Sequence, residues 1–196
     1  LMDVETVKLS LDHAADLADP PQTRSSGLHV SELVNASAKL TGNRWYGNDE
    51  PSDQQVNIMA LGRLVEWMVR PAIHELAQEK GLVFQPQQVL TVDDVTGSLD
   101  GILVSSEGGG VKAVVECKSR HASPEDPSNN WRYMAQGMAY CFMTVCTTLW
   151  MPVVYLPRRG PPNAEFMLHV IEFEPHELLE NWTMLTNVKD YVGGKE

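Results

Sequence analysis

Cysteine is scarce in this 196-residue chain, and the three present, Cys117, Cys141 and Cys146, show no Cys-x-x-Cys spacing. That excludes a four-cysteine zinc or iron–sulfur centre, and an odd count in apolar surroundings reads as buried free thiols. No apolar run approaches the length of a membrane span. The first residues are acidic and polar, without a charged-then-apolar leader, so the expectation is a soluble, cytoplasmic protein with no membrane partner. A Gly-x₄-Gly-Lys-Ser/Thr loop is also missing, which removes an ATP-driven motor. Basic residues are few as well, 15 Lys and Arg against 26 Asp and Glu, for a net charge of −11. Phosphate binding runs on Lys and Arg, so this balance weighs against a nucleic-acid partner unless cations gather in one groove.

What is present suits one globular domain, with 43% hydrophobic residues. Residues 1–22 read as an extension with a short helix over 4–17, ended by Asp19-Pro20-Pro21; 23–192 form the domain and 193–196 a polar tail. Ser31 is placed to cap a helix running to Leu40. Residues 41–52 read as a loop carrying Trp45 and Tyr46. From Asp53 to Lys80 apolar residues recur at helical spacing, with Pro71 as a kink or break and Gly81 as the stop. Strands are expected at 83–92, 97–105 and 111–118. Asn129 or Asn130 then caps a helix over 131–145, strands follow at 149–156 and 166–173, and a last helix runs over 176–191. The fold class is α/β, a mixed central sheet flanked by helices.

Within this order Asp100 ends one strand and Glu116 and Lys118 end the next, joined through Glu107-Gly108-Gly109-Gly110. Side chains alternate along a strand, so Glu116 and Lys118 share a face, and the hairpin folds Asp100 back beside Glu116. Adjacent carboxylates repel unless a cation lies between them, and hard oxygen ligands suit Mg²⁺ or Mn²⁺. The plain alternative is a hairpin of solvated charges. On the next helix Tyr133, Gln136 and Tyr140 fall on one stripe. A glutamine between two tyrosines is not something a core helix requires.

Asp100, Glu116-x-Lys118, the helical Gly62-x-x-x-Glu66 and Gln136-x-x-x-Tyr140, in this order, resemble the PD-(D/E)XK nuclease superfamily and its RecB-like branch. With Arg24, Ser31-Glu32 and Tyr155-x-Pro157-Arg158 added, residues 24–185 resemble the lambda exonuclease, or YqaJ-type viral recombinase, family. The resemblance implies a restriction-endonuclease-like αβββαβ core and a Mg²⁺- or Mn²⁺-dependent deoxyribonuclease, an exonuclease acting 5′ to 3′ on linear duplex DNA in recombination or phage DNA processing.

It further implies roles for individual residues. Asp100 and Glu116 become direct metal ligands, the Cys117 carbonyl a backbone ligand, and Glu66 a further ligand or supporting acid. Lys118 orients the attacking water or stabilises developing charge, Gln136 positions the scissile phosphate or the nucleophile, and Tyr140 supports Gln136. Arg24 and Ser31 hold a terminal 5′ phosphate, and Arg120, Arg132, Arg158 and Arg159 follow the DNA backbone. The implied partners are DNA with free ends, a single-strand annealing or recombination protein, and further copies of the chain in a ring. The alternatives are a RecB-like nuclease on single-stranded or flap DNA, and a silent nuclease-fold module that binds DNA ends or a protein.

Overall fold

Leu149, Met151 and Val153 alternate with Trp150 and Val154, and this period of two builds the most buried strand of the molecule. A computed structural model describes residues 28–40, 53–120, 126–156 and 165–193. They form strands β1 (Leu28–His29), β2 (Leu82–Val92), β3 (Val95–Ser105), β4 (Val111–Val115), β5 (Lys118–Arg120), β6 (Thr148–Tyr155) and β7 (Glu165–Glu172). The helices are α1 (Val30–Leu40), α2 (Asp53–Glu79), α3 (Trp131–Thr144) and α4 (Pro175–Gly193). The expected 4–17 helix, the loop at 41–52 and the last tail residues, 194–196, lie outside the described residues, as do Arg24, Arg158 and Arg159.

All seven strands belong to one mixed sheet. β2 and β3 form a long antiparallel hairpin, β3 pairs antiparallel with β4, and β6 pairs antiparallel with β7. The crossover through α3 makes β6 parallel to both β4 and β5. One apolar cluster joins Val30 and Leu33 of α1, Met134 and Ala139 of α3 and Leu185 of α4 to Val114, Leu149 and Met151. On the other face Val69, Ile73 and Ala77 of α2 pack on Ala113, Val115 and Trp150. The helices therefore cover both faces, as the alternating burial of the strands demands. Cys141 and Cys146 are buried and all three cysteines are free. Among the described residues no helix is long and apolar enough to cross a membrane.

Several boundaries differ from the sequence expectation for identifiable reasons. Ser31 lies inside the first turn of α1 and does not cap it; the His29 N–H instead donates to Glu32 Oε2 at 3.0 Å, the reverse half of a capping box. Pro71 stands within α2 without dividing it. Asn130 is the cap of α3, its side chain accepting from the Arg132 and Tyr133 N–H groups. The strand expected over 111–118 is interrupted at Glu116-Cys117, because the Cys117 N–H is taken by the Asp100 carboxylate at 2.6 Å and not by a backbone carbonyl of β3.

Helix α3 ends on Val145, a β-branched residue in the left-handed region, φ 55°, and 92% exposed. Glycine adopts this conformation without steric cost. Val145→Gly is therefore expected to stabilise the fold by about 0.5–1 kcal/mol, read as a melting temperature raised by about 1–4 °C.

Candidate active site

The β3–β4 register sets Gly101 opposite Val115 and so brings Asp100 opposite Glu116. Gly101 itself answers a close approach: a Cβ there would lie 2.9 Å from the Gln85 carbonyl oxygen and against the Phe84 ring. Along β4 and into β5 one face runs Val114, Glu116, Lys118, passing from apolar core to charge. This is the face that α3 covers.

The side chains interlock there. Lys118 Nζ donates to Glu116 Oε1 at 2.6 Å and to Gln136 Oε1 at 3.0 Å, and lies 5.2 Å from the centre of the Tyr133 ring. Gln136 Nε2 donates to the Tyr140 hydroxyl at 2.9 Å. The stripe of Tyr133, Gln136 and Tyr140 on α3 thus closes over the lysine. The Glu116 side chain is only 5% exposed, and its Oε2 is buried with no hydrogen-bond partner. A buried carboxylate oxygen left in that state is costly, and it is the kind of atom a cation completes.

The electrostatics agree. Burial, then the carboxylates of Glu116 and Glu66, push the Asp100 carboxyl well above the usual range, against smaller pulls from Lys118 and the Cys117 N–H. Burial opposes the Lys118 ammonium, yet Glu116 and Asp100 outweigh it and hold its pKa above the ordinary lysine value. Tyr140 is pushed up by burial and then by Glu116, so it stands as a neutral phenol. Burial and then Asp100 likewise push the Cys117 thiol up, which leaves it unreactive.

Two clustered carboxylates, one with an orphaned oxygen, fit a hard divalent cation such as Mg²⁺ or Mn²⁺. Glu66 is held by Arg70 at 2.5 Å on α2, the helix that packs against the opposite face of the sheet. Among the described residues no group of three or more His, Cys, Asp or Glu side chains forms a metal cage. Asp100 and Glu116 face one cavity, and the Glu66 carboxylate bears on Asp100 through its charge.

A cavity of about 230 Å³ opens over this pair, lined by Asp100, Glu116, Gln136 and Tyr140 together with His29, Ser31, Thr96 and Ser98. Ser31 thus reaches the site, although it caps nothing. Thr96 and Ser98 were not anticipated; with Asp100 they form a period-two polar stripe along β3 that is visible in the sequence. His29 arrives because β1 pairs parallel to β3, His29 opposite Thr96. Arg120 lies on β5 two residues beyond Lys118 and on the same strand face, while Arg132 sits in the first turn of α3.

No protein-family model and no curated protein sequence matches the chain. Among solved structures the chain is similar to SSO0001, with a TM-score of 0.57 at 14% identity over 97% of this chain and 87% of that one. It is also similar to the alkaline exonuclease LHK-Exo from Laribacter hongkongensis, with a TM-score of 0.51 at 14% identity over 95% and 93%. The same exonuclease in complex with dAMP gives 0.52 at 16% identity over 86% and 89%. The fold, a mixed sheet flanked by helices, is thus one that an alkaline exonuclease also adopts.

Proposed function

We propose that the chain is a Mg²⁺- or Mn²⁺-dependent deoxyribonuclease of the exonuclease type, acting on linear duplex DNA from a 5′ end. The observation that carries this reading is the convergence of Asp100, Glu116, Lys118 and Gln136 around one buried, partnerless carboxylate oxygen. The shared fold with an alkaline exonuclease supports it. Asp100 and Glu116, with the Cys117 carbonyl, hold the divalent ion, which when bound lowers the pKa of water and neutralises phosphate charge. Lys118, whose surroundings favour the ammonium, acts by orienting the incoming water and stabilising charge on the phosphoryl oxygens, not by removing a proton. Gln136 fixes the position of Lys118 from above, and Tyr140 fixes Gln136. Ser31 and Arg24 hold a terminal phosphate and Arg120 tracks the strand behind it. A ring of several copies and a single-strand annealing partner complete the family reading.

The test is digestion of linear duplex, closed circular duplex and single-stranded DNA, labelled at the 5′ or the 3′ end, with and without Mg²⁺. Mononucleotides released only from linear duplex and only with the metal support the proposal. Equal cutting of circles makes the chain an endonuclease, preference for single strands gives the RecB-like alternative, and no digestion leaves a silent binding module. Gln136→Ala is expected to lower kcat by about 10–100-fold, as loss of a supporting contact does, and the melting temperature little, since Lys118 keeps Glu116. Steady-state kinetics on the linear duplex read this directly.

A further inference from the structure

We infer that the groove between α2 and β2 is a binding site for unpaired nucleotides, with Trp67 as its stacking platform. Trp67, Met68, Arg70 and His74 of α2 face Phe84 and Pro86 of β2 across a cavity of about 590 Å³, in the size range of pockets that enclose small organic ligands. Trp67 is 51% exposed and Met68 68%, although both are large and apolar. A folded chain exposes such side chains singly without consequence, but here they line one concavity.

Charge selects the occupant. Arg63, Trp67, Arg70 and His74 recur at intervals of four, three and four residues, so they lie on one stripe of α2. In a chain with a net charge of −11, this stripe sets Arg63 and His74 beside an exposed indole, with Arg70 ion-paired to Glu66 between them. Cations beside an aromatic face are the recognition chemistry of single-stranded nucleic acid: the cations follow the phosphates, and every base offers a π-face to stack. A duplex keeps its bases stacked inside and has none to offer Trp67, so the occupant is an unpaired segment.

The groove also adjoins the candidate active site by two routes. Arg70 lines it while holding Glu66, the acid whose charge bears on Asp100. Phe84 forms part of its wall and packs against Gly101, the residue after Asp100. This inference takes its substrate class from the nuclease reading; the groove's capacity to bind stands on its own lining.

The experiment measures anisotropy of a fluorescein-labelled oligothymidylate titrated with the full chain in Ca²⁺, alongside hydrolysis of bis(p-nitrophenyl) phosphate in Mn²⁺, a diester too small to span both places. Trp67→Ala is expected to weaken oligothymidylate binding by about 5- to 150-fold, Trp67→Phe to restore it to within a few-fold, and both to leave turnover of the small diester unchanged. Equal affinity of wild type and Trp67→Ala overturns the inference. So does a loss that Trp67→Phe does not restore, which marks a structural role, and so does sedimentation showing that Trp67 instead joins two copies of the chain. Wild type that binds oligothymidylate through Trp67 but hydrolyses neither the diester nor DNA overturns the nuclease reading and retains the groove.

Discussion

Asp100→Asn is expected to abolish hydrolysis of linear duplex, by about 10³-fold or more, while making the metal-free protein more stable. The two effects share one cause. Glu116 and Glu66 press on a desolvated Asp100 carboxyl and raise its pKa well above the ordinary 3.8. A carboxyl raised on folding binds its proton more tightly in the native state, so its contribution to stability is best in acid and declines as pH rises from 3.8 through the folded value. Asparagine removes that decline and retains an oxygen for the Cys117 N–H. In EDTA the variant should melt about 2–4 °C above wild type at pH 8, a difference of about 1 kcal/mol, and the gap should close toward pH 4. Adding Mg²⁺ should raise the wild-type melting temperature and leave the variant's unmoved. DNA digestion by Asp100→Asn within tenfold of wild type would remove Asp100 from the chemistry.

Lys118→Met should act in the opposite sense on stability and the same sense on rate. The lysine side chain is 15% exposed and is the ammonium bonded to Glu116. Stripping one partner from a buried pair costs about 3–5 kcal/mol, because the remaining charge is stranded. Because the folded state raises the Lys118 pKa, the lysine's contribution is complete below its ordinary 10.5 and is lost only as pH rises through the still higher folded value. The melting temperature of the variant should fall at neutral pH, and the deficit should shrink in acid as the raised Asp100 carboxyl takes up its proton and one of the charges facing the missing ammonium disappears. Mg²⁺ should restore much of that stability, since a divalent cation replaces the missing positive charge, yet the rate should stay about 10²–10³-fold down. Thermal melts with and without Mg²⁺, run beside single-turnover digestion, separate the two roles. A variant that Mg²⁺ rescues in both would show that Lys118 is only a counter-ion.

The hairpin carrying Asp100 and Glu116 was legible in the sequence because each step depended on short-range periodicity. The apolar alternation of the strands and the glycines at 108–110 set which residues face each other, and register did the rest. Gln136 and Tyr140 were legible for the same reason, as polar groups on a helix stripe. The two-residue strand β1 was not, since Leu28-His29 carries no period and is a strand only because β3 lies alongside. The interruption at Glu116-Cys117 was hidden too: it depends on a side chain seventeen residues away competing for a backbone N–H. Glu32 and Ser31 show a subtler limit, because both residue types stabilise helix starts and only the fold decides which acts.

The linker between β3 and β4 has a use outside enzymology. Gly108 and Gly109 are exposed, at φ 90° and 119°, with nothing within 4 Å of where a Cβ would stand. A cut between them leaves Glu66, Trp67 and Asp100 on one fragment and Glu116, Lys118 and Gln136 on the other. Neither piece holds both carboxylates, so neither alone can build the proposed metal site. On the proposed nuclease reading, a split at this open turn is expected to make DNA hydrolysis a signal of fragment association.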